Sequence, residues 1–177
     1  MQILSLVLSI LGFIAVVTAS LMKGNKMKQI LFLVLCANFL YATSYLTGGS
    51  GINGAASCYL GSILAIINYF FESKDKTVPK WLMGIYAVSF IVLNLVVGGF
   101  KPLVYLAIVA TLAFVLCINQ KSGAKYRFWT MVNLLLWFLY DILSESYETT
   151  IAHAVQILFT VAGMIIHDRK KSKEVKE

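Results

Sequence analysis

The chain alternates apolar runs with charged gaps so unevenly that a bilayer is the setting the pattern demands. Seven apolar runs of 16–20 residues fall at roughly 3–22, 30–46, 54–71, 81–99, 103–118, 128–143 and 150–167. Fourteen of the fifteen Lys and Arg residues occupy alternate gaps. Lys23, Lys26 and Lys28 lie in the first gap, Lys74, Lys76 and Lys80 in the third, and Lys121, Lys125 and Arg127 in the fifth. Arg169, Lys170, Lys171, Lys173 and Lys176 form the tail, and Lys101 alone lies on the other side. Cytoplasmic loops hold the excess of Lys and Arg. The split therefore predicts an odd number of spans, with the amino end outside and the carboxyl end inside. The fold class expected is all-α: a polytopic membrane protein of seven transmembrane helices.

Composition agrees. Apolar residues make up 59% of the chain and charged residues 13%, against roughly 45–50% and about 25% in soluble domains. A helix of 17 residues reaches about 26 Å and spans only if nearly upright, so the second, fifth and sixth segments are expected close to the minimum length. The net charge of +7 is explained by inner-face anchors attracted to anionic headgroups, and no nucleic-acid partner is expected. The first segment lacks the basic n-region of a signal peptide. Cleaving it would also reverse the charge rule for fourteen residues, so it reads as a helix that stays. Cys36, Cys58 and Cys117 all fall within apolar runs, without CxxC spacing, and read as buried thiols.

The connections are short. TGGSG joins runs two and three, SESYET joins six and seven, and Phe100-Lys101-Pro102 joins four and five, with Pro102 suited to a first helical turn. Trp81 and Trp129 follow basic stretches, as interfacial aromatics do. The pattern also repeats: a shift of 95 positions lays 7–76 on 102–171 without a gap. Nine positions of the 70 are identical, among them Asn38/Asn133, Tyr45/Tyr140 and Lys26/Lys121. The matched lengths and charge signs carry the repeat more than the identities do. The organisation expected is a first triple-helix unit at 1–76, a linker helix at 77–101, a second triple-helix unit at 102–171 and a basic tail at 172–177. Two such units have the same orientation and are related by an axis along the membrane normal, with a substrate site at their interface.

The seven-span layout, the NFLYATSYLTGGSG stretch and the aromatic-rich FWTMVNLLLWFLYDI segment resemble the small YgjV-type bacterial inner-membrane proteins. The resemblance covers most of the chain and implies a multi-pass protein of the bacterial cytoplasmic membrane. More distantly, the three-one-three plan is similar to the SWEET, PQ-loop and PnuC-type carriers of sugars, amino acids or vitamin precursors. SWEET-type pockets use Asn and Trp on corresponding helices, which points to Asn68, Asn133 and Trp137 here. This chain departs from the PQ-loop pattern, with no Pro-Gln pair in the first or fifth helix.

Polar side chains inside hydrocarbon normally face protein or a water-filled cavity. Asn38 lies in helix two. Asn133 and Trp137, with Tyr140 and Asp141 one turn further, lie in helix six. Helix seven carries His153, Gln156, Thr160 and Gly163 at spacings of 3, 4 and 3, one helical face. The 95-residue shift pairs that face with Cys58, Gly61, Ala65 and Asn68. Candidate contacts for a solute are thus Asn38, Tyr45, Asn68, Asn133, Trp137, Tyr140, His153 and Gln156, lining a cavity between helices two, three, six and seven. The same amides equally suit helix-to-helix bonding. His153 could hold a coupling proton. Asp141, Glu145 and Glu148 read as a solvated outer turn, and His167 as interfacial.

Absences narrow the rest. Two His, no HExxH and no Cys cluster give no metal set. A GxSxG elbow and phosphate loops are missing as well. Neither catalysis nor a cofactor is expected, and Asp141 with His153 is the one acid–imidazole pair an intramembrane enzyme could use. No buried Lys or Arg is expected in any span to neutralise an anionic cargo. The function expected is therefore a carrier or facilitator of a small, neutral, hydrogen-bonding solute. The alternative is a non-transporting membrane partner, scaffold or lipid-binding protein. Beyond the bilayer and the solute, the pattern leaves self-association into a homo-oligomer open.

Overall fold

The computed structural model describes residues 2–24, 26–48, 52–145 and 147–168. Among them the chain forms seven helices and no strand: α1 (Gln2–Leu21), α2 (Met27–Gly48), α3 (Ile52–Ser73), α4 (Lys80–Gly98), α5 (Pro102–Ile118), α6 (Gly123–Leu143) and α7 (Tyr147–His167). Five of them, α1, α2, α3, α4 and α7, are long and apolar enough to cross a membrane, and α5 is a shorter apolar helix of 17 residues. In α6 the length is present at 21 residues, but Lys125, Arg127, Asn133 and Asp141 dilute its hydropathy.

The expected lengths hold for α5 and need correction for α2 and α6, which have 22 and 21 residues. Hydropathy drops at the first Lys, whereas a helix ends only where its backbone bonding stops. Met27-Lys28-Gln29 and Gly123-Ala124-Lys125-Tyr126-Arg127 are accordingly helical. Gly99 closes α4 at φ 71, a left-handed conformation, with its N–H on the Leu95 carbonyl, so of the Gly98-Gly99 pair only the second is the turn. Gly49 to Gly51 of TGGSG, the Glu148 side chain and the basic tail from Arg169 lie outside the described residues.

Each helix packs on its neighbours in sequence, and α1 also packs on α7, so the contacts close into a ring. The ends of α1, α3, α5 and α7 gather at one end of the bundle. There Lys121 bonds Glu72 at 2.6 Å and the Lys76 carbonyl at 2.8 Å, and His167 Nε2 lies 2.8 Å from the Leu21 carbonyl. This basic end holds Lys23, Lys26, Lys74, Lys76, Lys121 and Lys125, while Lys101 sits in the α4–α5 turn at the far end. Leucine, isoleucine and valine side chains cover the outside. In α4, Trp81, Ile85, Val88, Val92 and Val96 are all more than half exposed along one helical face, and α1 presents Ile3, Leu6, Ile10 and Ile14 in the same way. Such faces fit acyl chains. Trp129, partly buried near the basic end, packs against the core that includes Ile30, Leu64, Phe90 and Tyr126.

The helix bounds carry a periodicity of their own. α2 and α6 begin 96 residues apart and end 95 apart, and α3 and α7 begin 95 apart and end 94 apart. α1 and α5 fit less well, beginning 100 apart, because Pro102 delays the start of α5. In each group the middle helix lies between the other two, α2 between α1 and α3 and α6 between α5 and α7, with α4 between α3 and α5.

Candidate functional site

In the half of the bundle away from the basic end, polar side chains from four helices converge. Asp141, near the end of α6, is buried, and its Oδ2 lies 2.5 Å from Nδ1 of His153 on α7, the side chains being 6% and 22% exposed. Asp141 is thus a paired interior carboxylate, a correction to the solvated turn expected from its neighbours Glu145 and Glu148. A turn reading takes the charge at face value, whereas α6 runs on to Leu143 and aims the carboxylate inward. From α2, Tyr45 lies in the same half of the bundle, its phenol within electrostatic range of Asp141, of Tyr140 and of Cys58 on α3. One turn deeper, Gln156 Nε2 donates to the Tyr41 hydroxyl at 3.3 Å.

Glycines make room for these rings. A Cβ on Gly12 would lie 3.3 Å from the Tyr41 ring, and one on Gly54 3.1 Å from the Tyr45 ring. Gly61 similarly abuts the Asn38 carboxamide, 3.3 Å from Oδ1, while Asn38 donates to Val34 of its own helix. Trp137 stands edge-on to Tyr140, with centroids 5.3 Å apart. The group contains the pairs that the 95-residue shift relates: Tyr45 with Tyr140, Cys58 with His153, and Gly61 with Gln156. It can donate and accept hydrogen bonds, stack a ring, and hold or release a proton.

Two of the predicted contacts lie elsewhere. Asn133 donates to the Ala110 carbonyl at 2.8 Å, bonding α6 to α5. Asn68 sits at the basic end, fully buried, where Nδ2 donates to the Ile118 carbonyl at 2.7 Å and to Asn119 Oδ1 at 3.3 Å, while Oδ1 accepts from Tyr86 at 3.1 Å. It joins α3, α4 and α5. Replacing Asn68 with Leu removes these bonds and strands the Tyr86 hydroxyl and the Ile118 carbonyl. At roughly 1 kcal/mol per bond, the expected loss is about 2–3 kcal/mol, read as a lower thermal midpoint in detergent, with Tyr86→Phe losing about 1 kcal/mol.

The basic end also holds a group that hydropathy concealed. Arg127, whose position beside Lys121 and Lys125 suggests a loop charge, is 1% exposed in the second turn of α6. Its Nε and Nη2 fork onto the Asp168 carboxylate, and Nη1 donates to the Met22 carbonyl at 2.8 Å. The expectation that no Lys or Arg is buried is therefore corrected, although this charge is already neutralised by Asp168. Around it the backbones meet closely. Gly123 lies on Gly24, Gly163 abuts the Ser20 carbonyl, and Thr160 donates to Ser20 Oγ at 3.4 Å. His167, expected to be interfacial, is part of this α1–α7 seam.

Lipid-facing apolar belts, helices of membrane-spanning length and a buried polar group between them define a polytopic α-helical membrane protein. The chain belongs to the Imp-YgjV family of bacterial inner membrane proteins, whose family model matches residues 6–171, from within α1 to beyond the end of α7. It is a multi-pass protein of the bacterial inner membrane. No curated protein and no solved structure matches it.

Proposed function

We propose that the protein is a carrier for a small, neutral, hydrogen-bonding solute, working by alternating access between a unit of α1–α3 and a unit of α5–α7, with α4 as linker. One observation carries the reading. Phenols of α2 and α6, the Gln156 amide of α7 and the Asp141–His153 pair of α6 and α7 meet between the two proposed units, with Tyr45 and Tyr140 at positions the 95-residue shift relates. Intramembrane polar groups are expensive; Gln156 lies near the middle of α7, the depth at which carriers built from repeats bind, and Asp141 and Tyr45 lie nearer the far end. Candidate contacts are Tyr41, Tyr45, Tyr140, Trp137, His153 and Gln156. The positive-inside rule places the basic end in the cytoplasm and the amino end outside.

This reading includes no covalent chemistry. Uptake of labelled sugars, nucleosides, vitamins and amino acids into proteoliposomes tests it. For a transported solute, Gln156→Ala and Tyr45→Phe each lower uptake about tenfold, with protein amount maintained and the stability of Gln156→Ala lowered by no more than about 1 kcal/mol, the worth of its lost bond to Tyr41. Absence of binding and uptake across the panel favours a non-transporting partner, scaffold or lipid-binding role instead.

A further inference from the structure

We propose that Asp141 and His153 form a proton-binding site that couples protonation to opening of the far end of the bundle. The inference rests on the carrier reading for its purpose, but on the geometry of the pair for its substance. Two ionisable side chains are in direct contact, on adjacent helices α6 and α7 and both largely shielded from solvent, so the proton on one decides what the other can donate or accept. With a proton on each imidazole nitrogen the pair is net neutral. When one proton leaves, the remaining Nδ1–H still bonds the carboxylate, and the pair carries a net negative charge in a low-dielectric interior. The proton is the only species that binds or leaves, so charge balances without any further reactant.

What that charge acts on lies on the other unit. Tyr45 of α2, whose ring packs against Gly54 of α3, is within electrostatic range of Asp141, of Cys58 of α3 and of Tyr140 of α6. α1, which packs on α7, has no titratable side chain. α5, which packs on α6, has Tyr105, exposed, and Cys117, held at the basic end by Thr130. The negative pair draws the Tyr45 hydroxyl as a donor and so ties the units together. The neutral pair exerts no such pull and lets the far end part. Arg127–Asp168 does not serve this way, since Arg keeps its charge.

The test uses the full chain in proteoliposomes and needs no cargo. Cys36→Ser and Cys117→Ser leave Cys58 as the only thiol, and its labelling by a membrane-impermeant methanethiosulfonate reagent is followed from pH 5 to 8 about neutrality, the range in which His changes charge. Rates are divided at each pH by those of the same protein carrying Asp141→Asn, which removes the thiol's own ionisation from the comparison. The expected ratio changes by about tenfold across the range and is flat when His153→Gln is compared with Asp141→Asn. The exchange of the pair, Asp141→His with His153→Asp, restores the change. In parallel, nitrogen NMR of His153, separated from His167 by His167→Gln, shows a titration curve that Asp141→Asn alters.

A flat ratio in the parent protein, or a His153 curve indifferent to Asp141→Asn, overturns the proposal. If Asp141→Asn does not fold, His153→Gln serves as the divisor and the exchanged pair as the positive control. A protein that passes both readouts yet moves no solute keeps the proton site and loses the carrier reading. One that moves a solute with both readouts flat does the reverse.

Discussion

Arg127→Ala is expected to destabilise the protein by about 3–4 kcal/mol, within the range for breaking one partner of a buried ion pair. The side chain is 1% exposed and its carboxylate partner Asp168 23%, so the lower part of that range applies. Removal leaves the Asp168 carboxylate without its counter-charge and the Met22 carbonyl without its donor. Because Arg127 stands on α6, Asp168 follows α7 and Met22 follows α1, three helices lose their common tie. Lys in its place restores the charge but not the fork, and should recover less than half of the loss. The double replacement Arg127→Met with Asp168→Leu should lie closer to the parent than either single change, since neither half of the pair is then left alone. Unfolding of the purified protein in mixed micelles checks the series. Equal loss in the double variant and in Arg127→Ala would show that packing, not charge, dominates at this site.

Gly163→Leu is expected to have a comparable effect by a different route. Even a Cβ at this position meets the Ser20 carbonyl and comes 3.2 Å from Arg127 Cδ, and backbone gives way only if whole helices move. Overpacking of this kind costs about 1–3 kcal/mol. Separation of α7 from α1 also loses the Thr160–Ser20 and His167–Leu21 bonds, at about 1 kcal/mol each. Gly84→Leu is the matched control. Gly84 is exposed on α4, with no neighbouring atom within 4 Å of the place a Cβ would take, and an exposed change of this sort stays within about 0.5 kcal/mol. Thermal midpoints of the two variants, measured side by side, should differ by several degrees.

Some of these basic-end contacts recur at the 95-residue spacing. Residue 68 of α3 meets the Ile118 carbonyl of α5, and residue 163 of α7 meets the Ser20 carbonyl of α1. Residue 72 then bonds Lys121, just beyond α5, and residue 167 bonds Leu21, the last of α1. Both residue pairs differ by 95 in number, and each ties the third helix of one group to the first helix of the other.

Helix number, helix order and the clustering of basic loops are legible in the sequence because hydropathy and Lys/Arg placement are summed over many residues. Single polar residues are less legible. Arg127 and Asp141 both look like loop charges, since each stands within two turns of a helix end and a sequence shows no partner 41 or 12 residues away. The pairing of Asp141 with His153 is readable only as a combination of residue types. Asn68 and Asn133 are recognisable as interior polar residues, yet an amide that binds solute and one that binds a helix carbonyl look alike before the helices are packed. Tyr41 carries no signal of its own, although Gly12 one helix away makes space for its ring. Glycine opposite tyrosine is the sort of signal that emerges only from the packed structure.

Two three-helix groups moving against each other about the polar site are the core of the proposed mechanism, and spin-label distances test that motion most directly. In a background lacking the native cysteines, one pair of labels at Lys76 and Lys125 spans the groups at the basic end, and another at Leu46 and Leu143 spans them at the far end, all four side chains being exposed. Pulsed electron resonance in nanodiscs should give two distance populations for each pair. Lowering the pH should raise the longer population at the far end while raising the shorter one at the basic end. A single distance at both ends, unchanged by pH or by any solute of the panel, would contradict alternating access and leave a rigid bundle.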